Sequence, residues 1–136
     1  MKKLLPLPAI CLFLFGCADK KAQEQALLDS VIKVHNKVMT ADEQVLKNKD
    51  VLDTLVKKEP TGALKDSAKI YQDKVIMADS AMDVWMHGFN PDLTTRAHDD
   101  NMAYLHKQQK LIMQVDSQMS AAVAASKKFI SKTKTK

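Results

Sequence analysis

The chain has 136 residues, 46% of them hydrophobic and 5% aromatic, with two cysteines and a formal net charge of +5. That length fits one domain. Two lysines lie at the extreme N-terminus and five in the last ten residues, so residues 17–126 carry 14 basic side chains against 16 acidic ones. The positive charge thus belongs to the ends and not to a face. With Arg96 the single arginine, bidentate contacts to bases or phosphates are scarce, which argues against nucleic-acid binding.

Lys2 and Lys3 precede an apolar run, Leu4 to Phe15, that ends in Gly16-Cys17. This is the layout of a bacterial secretory signal. Leu14-Phe15-Gly16-Cys17 looks like a lipobox, in which the cysteine is diacylated and becomes the mature N-terminus. Pro6 and Pro8 interrupt the run, which falls short of the roughly 20 apolar residues that span a bilayer. The expectation is a signal peptide over 1–16, removed on export, then lipidation at Cys17 and a lipidated tether over 17–21. The chain would be held in the cell envelope by a bacterial membrane, its body in the periplasm or at the surface. Ala18, in place of an inner-membrane aspartate, favours the outer membrane. Cys11 leaves with the leader, so the mature body has no cysteine for a disulfide, a thiolate site or a nucleophile.

Beyond the leader, proline and glycine occur only around Pro60-Thr61-Gly62 and from Gly88 to Pro91. Both residue types end helices. Helices are therefore predicted over 22–58, 62–88 and 97–130, with a basic disordered tail over 131–136. In the first, Leu28, Val31, Ile32, His35, Val38, Met39, Val45, Leu46, Leu52 and Val56 form an apolar stripe. In the second, Leu64, Ala68, Tyr71, Val75, Ala78, Met82, Trp85 and Phe89 step by four and three. In the third, Met102, Leu105, Ile112, Met119, Val123 and Ile130 do so, interrupted by Gln109 and Asp116. Thr94 or Thr95 is placed to cap this helix, with Asp99 and Asp100 against its N-terminal dipole. Short connections make neighbouring helices antiparallel. The predicted fold is all-α, an up-down-up antiparallel three-helix bundle over 22–130 with coiled-coil-like packing. The competing arrangement is an open coiled coil that needs a partner chain.

Folding the helices about the two turns brings His35, Met39, Met82, Met86, Met102 and His106 to one level, with Trp85 among them. Thioether sulfur and imidazole nitrogen suit Cu(I), and an indole face attracts a cation. These six residues are the candidate metal ligands. The alternative is that the methionines fill the core. No enzyme is expected. Asp73, Asp79 and Asp83 fit a solvated face, and His98-Asp99-Asp100 a helix start. With Glu24, Glu43 and Glu59 the only glutamates, no di-iron set exists.

Three stretches carry a resemblance: Val34-His35-Asn36-Lys37-Val38-Met39, Met82-Asp83-Val84-Trp85-Met86-His87-Gly88-Phe89-Asn90-Pro91, and Met102-Ala103-Tyr104-Leu105-His106-Lys107-Gln108-Gln109-Lys110. With the lipobox, they resemble the small helical lipoproteins of Bacteroidetes-type bacteria. Those are often labelled "viral A-type inclusion protein", a name that reflects coiled-coil composition. The resemblance implies an envelope lipoprotein with long helices, and it brings no activity, cofactor or catalytic residue. The expected partners are the membrane and other envelope proteins, met by a binding or structural module.

Overall fold

The computed structural model describes residues 15–58 and 61–134, with side chains from Asp19 onward. These residues form three helices, α1 Phe15–Lys58, α2 Ala63–Gly88 and α3 His98–Thr133. The helices pack against one another in all three pairs, α1 with α3 most extensively. No strand occurs among the described residues. Most of the leader predicted over 1–16, the Cys17 side chain and Pro60 lie outside what is described.

The core follows from spacing. On α1, Val31, Val38, Val45 and Leu52 are buried at every seventh position. On α3, Leu105, Ile112, Met119 and Ser126 form one such row, and Asn101, Gln108, Val115 and Ala122 form another. Ala68, Val75 and Met82 repeat the interval on α2, flanked by Ala78 and Trp85. A seven-residue repeat keeps one seam facing the partner helix along its whole length. The α1 stripe is narrower than predicted, because Met39 and Leu46 fall on the exposed side. Gln109 and Asp116 do not interrupt the packing. Gln109 donates to Ser30 at 2.9 Å, and Lys37 donates to Asp116 at 2.6 Å. Both bonds tie α3 to α1.

The helix ends differ from the sequence expectation in three places. First, α1 begins at Phe15, so the stretch 17–21 expected as a tether is helical. Alanines and lysines favour helix there, and Gln23 donates to Asp19 one turn before it. Second, α3 runs on to Thr133, beyond the predicted end at 130. Ser131 and Thr133 turn their hydroxyls back onto the carbonyls of Lys128 and Ile130. Third, the residue capping α3 is Ala97, with no side-chain cap. Thr94 is used elsewhere: its N–H and hydroxyl both donate to Asp92 Oδ1, and Asp92 N donates to Asn90 Oδ1. These turns fold the segment between α2 and α3 onto itself. Before α2, Gly62 has φ 109°, in the region that favours glycine.

Replacing Ile112 by alanine should cost about 2–5 kcal/mol of unfolding free energy, whereas the same change at exposed Leu46 should cost under about 1 kcal/mol. Urea denaturation followed by circular dichroism checks both. Equal losses would contradict the seven-residue seam.

Candidate functional site

Where α2 ends, rings from all three helices and the connecting segment form a series, tilted at His35–Trp85 and stacked beyond it. The His35 ring lies 5.6 Å from Trp85, Trp85 lies 4.7 Å from Phe89 at 16°, and Phe89 lies 6.4 Å from Tyr104 at 7°. Arg96 ends the series with its guanidinium 4.3 Å from the Tyr104 ring centre, a favourable cation–π arrangement. Tyr104 also accepts from Asn90 N at 2.7 Å. Trp85 and Phe89 are neighbours because four residues bring side chains onto one helix face. Beside them opens a cleft lined by Ile32, His35, Trp85, Met86, Phe89 and Pro91. Its volume of about 290 Å³ sits at the lower limit for organic ligands.

The six candidate metal ligands are distributed over the core and several faces. His35 and Met86 line this cleft, Met86 with 41% of its surface exposed. Met82 is buried in the core, and Met39 is 42% exposed on α1. Met102 is half-buried. His106 is exposed and lines a different depression, with Lys110 and Met113 on α3. The residues that share the cleft are thus one imidazole and one thioether, beside the indole. His35 Nδ1 lies 3.1 Å from Asn36 Oδ1. The tautomer that donates there leaves Nε2 with its lone pair.

Two polar constellations were not visible in the sequence. At the start of α3, His98 Nδ1 lies 2.8 Å from Glu24 Oε1, and both side chains are largely buried. Asn101 Nδ2 donates to Glu24 Oε2 at 3.2 Å and to the Leu93 carbonyl at 2.9 Å. His98, read from sequence as part of a helix start, therefore also fastens α3 to α1. The sequence signal was spacing: Glu24 stands seven residues before Val31, and His98 seven before Leu105.

The second constellation is a carboxyl pair between α1 and α2. Asp79 does not join Asp73 and Asp83 on the solvated face. It is half-buried and faces Asp42. Burial, then the Asp79 charge, then a hydrogen bond with Asp79 raise the Asp42 carboxyl above its ordinary 3.8. Asp42 Oδ1 is buried without a protein donor, which disfavours the charged form of the Asp42 carboxyl. About three turns further along α1, Asp53 moves the other way. The Gln72 hydrogen bond lowers its carboxyl most, with Lys49 adding to the effect.

No known family's model matches the chain, and no curated protein or solved structure matches it either.

The Asp42 geometry fixes a pH dependence. Its folded value lies above the unfolded one, so the folded state holds the proton more tightly. Its contribution to stability is full below the unfolded value and is lost as pH rises through the raised folded value. Asp42→Asn removes that titration. Its melting temperature should exceed wild type at neutral pH, and the gap should close as pH falls toward about 4. A gap independent of pH, in melts followed by circular dichroism, would overturn the assignment.

Proposed function

We propose that the chain is a lipid-anchored, non-catalytic module of a bacterial cell envelope, presenting an up-down-up antiparallel three-helix bundle to other envelope proteins. The observation that carries this reading is Leu14-Phe15-Gly16-Cys17 behind a basic start and an apolar run. The up-down-up course is supported by the order of contacts. Glu24 meets His98, Lys37 meets Asp116, and Asn48 meets Ser126. Along α2 the order reverses, with Asp53 bonding Gln72 and His35 stacking on Trp85.

An acylated Cys17 sits about 10 Å along α1 from Glu24, at 1.5 Å per residue. The lipid would thus lie beyond the end of the bundle where the 89–97 segment folds. Lys20, Lys21 and Arg96 border the same depression there, and cations at that end suit anionic headgroups. Acyl chains bury at about 0.8 kcal/mol per methylene, and two or more hold where one does not. Ala18 favours the outer membrane, as the sequence suggests. Among the described residues no helix is long and apolar enough to cross a membrane.

A second reading rests on His35 and Met86 sharing a cleft with Trp85. An imidazole nitrogen and a thioether suit a cuprous ion, and the adjoining indole face suits its charge. This is a smaller site than the six residues the sequence brought together.

Each reading has its own test. Expressed in a bacterium that acylates lipoproteins, the full chain should partition with membranes and show the mass of a diacylglyceryl group on Cys17. Cys17→Ser should abolish both, and an unmodified Cys17 in the wild-type chain would sink the anchor. For the metal, Cu(I) titrated against a chromogenic chelator should be retained and should quench Trp85 fluorescence. His35→Ala or Met86→Leu should weaken retention at least roughly tenfold, with His106→Ala unchanged. No competition at micromolar chelator disposes of the metal.

A further inference from the structure

The outer face of α2 carries a second apolar row that the bundle does not use. Ile70, Met77 and Val84 recur every seven residues and are 55%, 71% and 72% exposed. Lys74, Ala81 and Gly88 fall between them, completing the four-and-three alternation of a helix-packing seam. This row borders a groove between α2 and α3. At one end it is lined by Met77, Ala78, Ala121, Ala122 and Ala125, and at the other by Ala81, Val84, Gly88 and half-exposed Leu111. Large exposed side chains at heptad spacing thus stand beside hollows floored mainly by alanine at one end and by Ala81, Gly88, Trp85 and Val115 at the other, with Lys74, Gln108, Gln114 and Gln118 on their polar walls. Those are the knobs and the holes of a helix–helix interface, on one surface.

We infer that this groove receives a second copy of the chain, related by a two-fold axis parallel to the helices. The inference deepens the reading of the chain as a helical binding module by naming its partner, and it takes over the up-down-up course proposed there. Such an axis lays α2 of one copy over α3 of the other at unchanged height, making an antiparallel four-helix arrangement. Heights along the groove are given by Tyr71 stacked on Phe129, and by Met77 grouped with Ala121 and Ala125. Met77 of each copy therefore enters the hollow at Ala121 and Ala125 of the other.

Charge selects this axis over the alternative. The α3 rim carries Lys107, Lys110, Lys128 and Lys132, and the one acid in the middle of α3, Asp116, is turned to Lys37 on α1. The acids of the rim, Asp66 and Asp73, stand on α2 beside Lys69, which bonds Asp73, and Lys74, which lies over the Tyr71 ring. The α2 rim is thus near neutral where the α3 rim is basic. A two-fold perpendicular to the helices would set lysine rim against lysine rim. The parallel axis brings Asp73 of each copy level with Lys128 of the other, and Asp66 level with Lys132. It also leaves both Cys17 residues at the same end, so two anchored copies pair within one leaflet.

Ile70 to Gly88 spans about 27 Å, and a face two helices wide then buries on the order of 1,000 Å² in total, the lower limit for a specific pair. A weak dimer is expected at this lower limit, strengthened where a shared membrane raises the local concentration.

The test is sedimentation of the full chain in detergent, with the lipid on Cys17 read separately by mass. Failure of the anchor is thereby distinguished from failure of the dimer. Wild type should show a monomer–dimer equilibrium. Met77→Lys/Val84→Lys should raise the dissociation constant at least roughly a hundredfold, with helicity unchanged and with melting unchanged at concentrations where the wild type is monomeric, because both positions face solvent within one copy. Asp73→Lys and Lys128→Glu should each weaken the pair roughly tenfold. An equimolar mixture of those two single variants should recover it, since the opposed charges then match across the interface. A wild type that stays monomeric at concentrations on the order of 100 µM overturns the inference, as it must if the groove serves a different protein. So does a dimer indifferent to the Met77/Val84 change, or a mixture of the charge variants that associates no better than either alone.

Discussion

Burial of one narrow seam between α1 and α3 is the interaction on which the other contacts depend. Val31, Val38, Val45 and Leu52 share one core with Ile112, Val115 and Met119 of α3. Among the described residues no cysteine beyond Cys17 exists to brace the helices, so apolar burial must offset the cost of ordering them. Each fully buried aliphatic side chain contributes about 1.5–3 kcal/mol, and the net stability of a folded domain is a small margin between large opposing terms. α2 adds to it by laying Val75, Met82 and Trp85 against the pair.

A repeat of identical intervals has a weakness, in that sliding one helix by seven residues restores most apolar contacts. The polar residues at the two ends of the seam remove that degeneracy. Glu24 continues the Val31–Leu52 row backward and finds His98 and Asn101. Asn48 lies near the other end, where its Nδ2 donates to Ser126 Oγ at 2.7 Å. A slip of seven residues one way would set Glu24 against Leu105, and the other way would set Asn48 against Met119. A buried polar group left without a partner costs about 1–3 kcal/mol, more for a charged one, so a slip in either direction erases part of the margin. Specification of register by a polar residue in an apolar seam is the best-attested role of such groups. Here the pairs bracket the apolar middle from both sides.

The helical course was legible from punctuation alone, since Gly62 and the Gly88–Pro91 stretch are the places where the described chain turns. The α2 stripe from Ala68 to Phe89 was equally plain, because its period is unbroken. The metal cluster was much less legible, for a geometric reason. Reflecting one helix onto the next about a turn gives height, whereas the direction of a side chain rotates by about 100° with every residue. His106 stands at the expected level but follows core residue Leu105 by one position, which carries it to the outside. Met86 lies one turn beyond buried Met82, and the further 40° or so brings it to the rim of the cleft. The Asp42–Asp79 pair was hidden for the converse reason. Each aspartate reads as surface on its own helix, and only the approach of the two helices makes them neighbours. The loop turns at Asp92 and the α3 start at Ala97 could not be told apart in advance, since a threonine hydroxyl can accept at a helix N-cap or, as Thr94 does, donate to a neighbouring aspartate.

Trp85 joins the two surfaces to which function has been attached. Its ring stacks between His35 and Phe89 on the α1 side and also lines the α2–α3 groove beside Val84 and Leu111. It is the core residue common to both openings, and its indole Nε1 is buried without a protein acceptor. The ring is therefore held by packing and stacking, with no hydrogen bond fixing its orientation.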